Sequence, residues 1–149
     1  MTDLLVLNGV NLGRLGTREP AIYGTSSYDD VVALCRAAAT EAGREIDVRQ
    51  TDDESVFIAW LHEAASSSGL RGIVMNPGAW THTSVAIRDA AAMLTVPFVE
   101  VHLSNPLARE EFRHTSYTAS LARGVIGGFG LDSYRLAIEV LARITAPEG

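Results

Sequence analysis

Short apolar runs that read as β-strands alternate with longer amphipathic runs that read as helices, from Leu4 to Ile144, and that order admits few folds. Leu4 to Asn8 is the first strand. A helix begins near Ser27, with a serine cap and the acids Asp29 and Asp30 in its first turn, and Gly43 marks its end. Glu45 to Thr51 alternates like a strand, and Ser55 to about Ser68 reads as a helix carrying Val56, Phe57, Trp60, Leu61 and Ala64 inward. Gly72 to Asn76 is the third strand, followed by a Pro77-Gly78 turn and a helix from about His82 to Leu94. Pro97 to His102 is the fourth strand, Pro106 to Thr115 a polar stretch, Gly124 to Gly127 a short strand, and Asp132 to Ile144 the last helix. No repeat, low-complexity tract or linker interrupts the series. Such alternation predicts an α/β protein, a flavodoxin-like three-layer sandwich with a five-stranded parallel sheet, in one domain over 1–149.

In sheets of this kind ligands bind beyond the carboxyl ends of the strands, where the strand order reverses. The first, third and fourth strands end in Asn8, Asn76 and His102, each followed by a loop bearing glycine, proline or serine, so these ends are expected to converge on one polar cleft. The loop after Asn8 is long, with Gly9, Gly13, Gly16, Pro20 and Gly24 before any full helix, which is the character of a lid or a binding segment. It lacks the direct passage from strand to helix through G-x-G-x-x-G that a dinucleotide site needs. On the fourth strand, Glu100 and His102 are two apart and share a face. The carboxylate can take a hydrogen bond from one ring nitrogen and fix the tautomer, leaving the other nitrogen to transfer a proton.

Several chemistries are excluded by what the chain contains. All 12 basic residues are arginine; without lysine there is neither Schiff-base catalysis nor a Walker A phosphate loop. Cys35 is the single cysteine, on the apolar face made with Val31, Val32, Leu34 and Ala38, and is expected in the core. His62, His82, His102 and His114 have none of the paired spacings of zinc sites, so no metal and no cofactor is expected. A net charge of -6 without basic runs argues against a nucleic acid or a membrane surface as partner. With no apolar stretch near the ~20 residues that span a bilayer and no signal-like start, a cytoplasmic location is expected.

What remains is proton transfer by side chains in a cleft ringed by Arg18, Tyr23, His82, Arg109 and Arg113. Arginines around a small polar pocket suit an anionic substrate, most simply a carboxylate, because the guanidinium fork matches its oxygens. Tyr23 is the candidate base. A free phenol has a pKa of about 10, so a phenolate near neutrality needs ~3–4 kcal/mol of help, which one or two close arginines can supply. Arg18, five residues away in the same loop, is the nearest by sequence. The rival class is a non-catalytic flavodoxin-like module binding a small anionic ligand in the same cleft.

The segment Asn8 to Gly24 resembles the lid-bearing first loop of the type II 3-dehydroquinate dehydratases. So do Asn76 to Ala90, with its Asn-Pro-Gly-Ala-Trp-Thr-His start, and Glu100-Val101-His102-Leu103-Ser104-Asn105 followed by Arg109 to His114. The resemblance runs nearly end to end. It implies a flavodoxin-like fold and removal of water from 3-dehydroquinate to give 3-dehydroshikimate, a step of the shikimate pathway, by anti elimination through an enolate. By match to the motifs, Tyr23 takes the proton beside the ketone, Arg18 stabilises its phenolate, and His102, oriented by Glu100, protonates the departing hydroxyl. Asn11 helps to hold the enolate through a water. Asn76, Ser104 and the backbone of Leu103 match the carboxylate and polar anchor, and His82 and Arg113 match positions that bind the ring hydroxyls. Asp89 matches a residue that reaches a neighbouring subunit's site, and Arg109 looks like a lid-positioning charge. The resemblance also implies a homo-oligomer, a dodecamer built from trimers. Val10 stands where the family usually has proline, and Pro106-Leu107 replaces a more usual aliphatic-histidine pair.

Overall fold

The structure, a computed structural model, describes residues 2–17 and 19–146, with Tyr23 described in its backbone alone. Arg18 and the Tyr23 side chain therefore lie outside the described residues. Strands β1 (Leu4–Asn8), β2 (Ile46–Gln50), β3 (Gly72–Asn76), β4 (Phe98–His102) and β5 (Gly124–Gly127) form one sheet in the order β2-β1-β3-β4-β5. Every pairing is parallel. This is the expected flavodoxin-like winding, and the order reverses between β1 and β3. The helices are a single turn α1 (Pro20–Tyr23), then α2 (Tyr28–Glu41), α3 (Glu54–Ser66), α4 (Val85–Ala91) and α5 (Asp132–Ile144).

Period-two alternation along the strands sends one set of side chains to each face. Leu4, Val6, Val74, Val99 and Val101 pack with Val31, Cys35 and Ala38 of α2 and with Ala137, Ile138 and Leu141 of α5. Leu5, Leu7, Ile73, Met75 and Phe98 pack with Phe57, Leu61 and Ala64 of α3 and with Ile87, Ala90 and Ala91 of α4. The three layers follow directly. Cys35 is fully buried, as expected, and burial pushes its thiol up to about 12. Val56 and Trp60, expected to face inward, are only half-buried.

Local signals explain the boundaries. Ser27 caps α2 with a reciprocal pair: its hydroxyl accepts from the Asp30 N–H at 3.2 Å while the Asp30 carboxylate accepts from the Ser27 N–H at 2.9 Å. The helix expected from about His82 starts later, at Val85. Ser84 is its true cap, accepting from the Ile87 N–H at 2.9 Å, and Gly78–His82 is a separate 3-10 segment.

The loops after β1 and β3 abut backbone to backbone. Gly9 donates its N–H to the Asn76 carbonyl at 2.8 Å, and an added β-carbon on Gly9 would sit 2.3 Å from the Pro77 carbonyl oxygen. Gly78 has φ +65° and would bring a β-carbon within 2.7 Å of the Val10 carbonyl oxygen. Gly9→Ala should therefore destabilise the protein by about 1–3 kcal/mol, read as a lower midpoint in chemical denaturation. Gly124→Ala, where a β-carbon meets nothing within 4 Å, is the control and should change the midpoint little.

Candidate active site

At the carboxyl ends of β1, β3 and β4 lies a cleft of about 190 Å³. Its floor is Asn76, which ends β3, and His102, which ends β4; Leu103 and Ser104 continue one wall. The loop after β1 supplies Val10, Asn11 and Leu12, the segment after β3 supplies Gly78, Ala79 and His82, and the polar stretch after β4 supplies Pro106, Arg109 and Arg113. Eight of the residues expected at the site thus meet in one place. Glu100 stands behind His102 rather than in the cleft, and Asp89 is exposed on α4 away from it.

Asn8 is a correction. It was expected to open onto the cleft, yet it is fully buried and turned into the core. Its amide donates to the Arg49 carbonyl at 3.2 Å and its oxygen accepts from the Tyr134 hydroxyl at 2.6 Å. Tyr134 in turn accepts from the Asn76 amide at 2.8 Å, and the Asn76 oxygen accepts from the Gly78 N–H at 3.1 Å. Every member of this buried chain has its direction fixed, so one N–H of the Asn76 amide remains for the cleft.

Asn11 holds left-handed geometry, φ 71°, a conformation uncommon for a residue with a side chain. Its N–H donates to Asp52 at 2.8 Å, and Gln50 donates to both Asp52 and the Gly9 carbonyl, so residues at the end of β2 pin the start of the loop. Leu12 and Leu15 are buried in the core on the same stretch.

The Glu100–His102 pair forms as its spacing required. Nε2 of His102 donates to Glu100 at 2.8 Å, which leaves Nδ1 as the other ring nitrogen. β4 is interior to the sheet, between β3 and β5, so the pair is not the trim of an edge strand. Glu100 is 1% exposed and also accepts from the hydroxyls of Ser116 and Thr118. Burial is the largest influence and pushes its carboxyl up, but the bonds from His102, Thr118 and Ser116 together hold it below the usual carboxylate range. These two hydroxyls were missed in the sequence, where nothing marks residues 16 and 18 positions further on as partners of a strand carboxylate.

His82 donates through Nδ1 to the Thr115 carbonyl at 2.8 Å, and its ring stacks on His102 with centroids 6.4 Å apart. Burial lowers its pKa below the ordinary value, helped by the charges of His102 and Arg113 and opposed by the Thr115 carbonyl and Glu100. Arg113 lies over Phe112 and donates to Glu110 at 2.7 Å; Arg109 is 3.9 Å from Glu19 at the start of α1. Arg88 donates to the Tyr117 carbonyl at 2.6 Å and to the Ser120 hydroxyl at 3.0 Å.

Both depressed groups make acid destabilising. A histidine held neutral lends stability that is complete above about pH 6.5 and is lost as pH falls through its lower folded value. Glu100 adds a second loss, beginning below about pH 4.3. His82→Gln should remove the first stage of an acid titration followed by circular dichroism and leave the second.

Among the described residues no group of three or more His, Cys, Asp or Glu side chains is arranged to hold a metal, and no helix is long and apolar enough to cross a membrane. The cleft offers an acid–base pair, a second histidine, arginines and amide donors, enough to bind a small carboxylate and move protons on it.

The profile of the family Dehydroquinase class II matches residues 2–142. A 3-dehydroquinate dehydratase of Salinispora tropica is 56% identical over 137 residues, covering 92% of this chain and 94% of that protein. Its counterpart in Mycobacterium tuberculosis is 49% identical over 144 residues, covering 95% and 97%. Among solved structures, a type II dehydroquinase from Propionibacterium acnes is similar with a TM-score of 0.91 and 48% identity, covering 96% of this chain and 97% of that one.

Proposed function

The chain belongs to the class II dehydroquinases and is a hydro-lyase, and on that premise we propose that it removes water from 3-dehydroquinate to give 3-dehydroshikimate in the shikimate pathway, by anti elimination through an enolate. The observation that carries the reading is the meeting of Asn11, Asn76, His82, Ser104, Arg109 and Arg113 around the Glu100-oriented ring of His102. Residues 1–149 act as one catalytic domain.

The roles are those that the resemblance to the family implies. Tyr23, as phenolate, takes the proton from the carbon beside the ketone, and Arg18 keeps that phenolate ionised. The negative charge that moves onto the ketone oxygen is met by a water held near Asn11 and by the turn after Asn76, dipoles already in place before the reaction. His102 then gives a proton to the leaving hydroxyl, which departs as water. The free N–H of Asn76, the Ser104 hydroxyl and the Leu103 backbone hold the carboxylate, while His82 and Arg113 hold the ring hydroxyls. His82 suits this role because its tautomer leaves Nε2 as an acceptor. Arg109, near Glu19, ties the polar stretch after β4 to the segment that carries Tyr23.

Assembly belongs to the same reading. Val85, Met93, Leu107, Phe112, Val125 and Phe129 are exposed apolar side chains of one chain, and a dodecamer built from trimers would cover such surface and bring Asp89 to a neighbour's site. Sedimentation should give twelve subunits, and the enzyme is placed in the cytoplasm.

The test is ultraviolet detection of the conjugated enone from 3-dehydroquinate, repeated after the enzyme has been treated with substrate and borohydride and freed of both. Turnover without reductive trapping is expected, since a chain with no lysine makes no imine with substrate. No enone near neutral pH would overturn the assignment.

A further inference from the structure

The Glu100 carboxylate is surrounded by three side-chain donors. The His102 Nε2–H reaches one of its oxygens at 2.8 Å. Thr118, itself 1% exposed, donates its hydroxyl to the other. Ser116 lies 3.0 Å from both. The Ser116 oxygen also accepts the backbone N–H of Thr118 at 3.3 Å and of Ala119 at 3.0 Å. With both lone pairs so engaged, its only free valence is the O–H, for which Glu100 at 3.0 Å is a nearer acceptor than the Thr118 hydroxyl oxygen at 3.4 Å.

We propose that Ser116 and Thr118 are positioning residues that keep Glu100 a carboxylate throughout turnover, so that it orients His102 without ever taking its proton. A proton on Glu100 would face three inward-pointing donors in a nearly sealed site. One of them would have to turn away, leaving a buried polar group unpaired. The tautomer is thereby fixed: neutral His102 carries its hydrogen on Nε2, and Nδ1 is the atom that exchanges protons with the cleft. Among the described residues, His82, stacked on the ring, Arg109 and Arg113 in the cleft and His114 near Glu100 are further ionisable groups on this side, and no hydrogen bond joins His82 or Arg113 to Glu100.

Within the elimination proposed above, on which this inference rests for its kinetic consequence, the step balances. His102 enters as imidazolium. As the carbon–oxygen bond breaks, its electron pair goes to oxygen, and the Nδ1 proton joins that oxygen to complete water. The ring is left neutral with Nε2–H still on Glu100, whose charge has not changed. The proton gained by Tyr23 returns to His102 through solvent to reset the site.

Nitrogen-15 NMR of ring-labelled protein, at a pH where His102 is neutral, reads the tautomer without substrate. Wild type should carry hydrogen on Nε2 alone, and a wild-type ring protonated on Nδ1 would overturn the proposal. Thr118→Val should give a mixed tautomer and a kcat lower by about 10- to 100-fold, as for other partners that orient a histidine, with KM nearly unchanged. Thr118→Ser, which keeps the hydroxyl, should restore both, and in a Glu100→Gln background Thr118→Val should add little. A folded Thr118→Val with the wild-type tautomer and kcat defeats the idea; if that variant does not fold, Ser116→Ala and Thr118→Ser decide by the same readouts. Should wild type fail to turn over 3-dehydroquinate, the functional reading falls while the tautomer measurement still judges this one.

Discussion

Replacing Tyr23 by phenylalanine is expected to lower kcat by about 10²- to 10⁴-fold, the usual contribution of a positioned acid or base. That is roughly 3–5 kcal/mol of barrier. The substitution removes one oxygen and keeps the ring, so whatever packing the aromatic side chain makes is retained. KM should move far less than kcat, because in the proposed mechanism the carboxylate and hydroxyl contacts come from the cleft residues Asn76, Ser104, His82 and Arg113, which the change does not touch. Steady-state kinetics with calorimetric binding of a product-like acid separates the two quantities. A binding module using the same cleft would lose nothing from this substitution, and retained turnover in Tyr23→Phe would remove the phenolate from the mechanism.

His102→Ala carries the second large effect, a fall in kcat of about 10²- to 10⁴-fold. Hydroxide is a poor leaving group, so loss of the acid acts on the second half of the elimination while proton abstraction by Tyr23 persists. Exchange of the substrate's acidic proton with deuterated solvent should therefore continue in His102→Ala and stop in Tyr23→Phe. That opposition distinguishes the two roles better than the size of either defect. His102→Ala also strips Glu100 of one of its three donors, with a stability cost of about 1–3 kcal/mol, which thermal unfolding measures separately. Parallel loss of exchange in both variants would mean that the two residues do not divide the chemistry as assigned.

Much of the frame was legible because it depends on neighbours in sequence. The short apolar runs Leu4 to Asn8 and Gly72 to Asn76, the Ser27 cap and the spacing of Glu100 and His102 are short-range facts, and each reappears in the structure. Partnerships across the fold were not legible. Asn8 faces Tyr134, 126 residues away, because that hydroxyl satisfies a polar group the core would otherwise leave bare. Ser116 and Thr118 reach Glu100 only because the chain after the 3-10 segment Glu111–His114 folds back over β4. The late start of α4 shows a local contest, in which the Ser84 hydroxyl captured the first turn that composition alone assigned to His82. Matches to the family motifs named the cleft residues, but the motifs carry no information about which atoms brace them.

The backbone joint between Gly9 and Gly78 has a thermodynamic consequence for ligand capture. Because Gly9 is bonded to Asn76 and Leu12 and Leu15 are sunk in the core, the near wall and the floor share one rigid support. Ordering them is complete when the chain folds, at roughly 1–2 kcal/mol of backbone entropy per residue, and is not charged again at each encounter with a small acid. Affinity in this half of the cavity is thus inherited from folding, and loosening the joint should appear as weaker binding with a more unfavourable entropy.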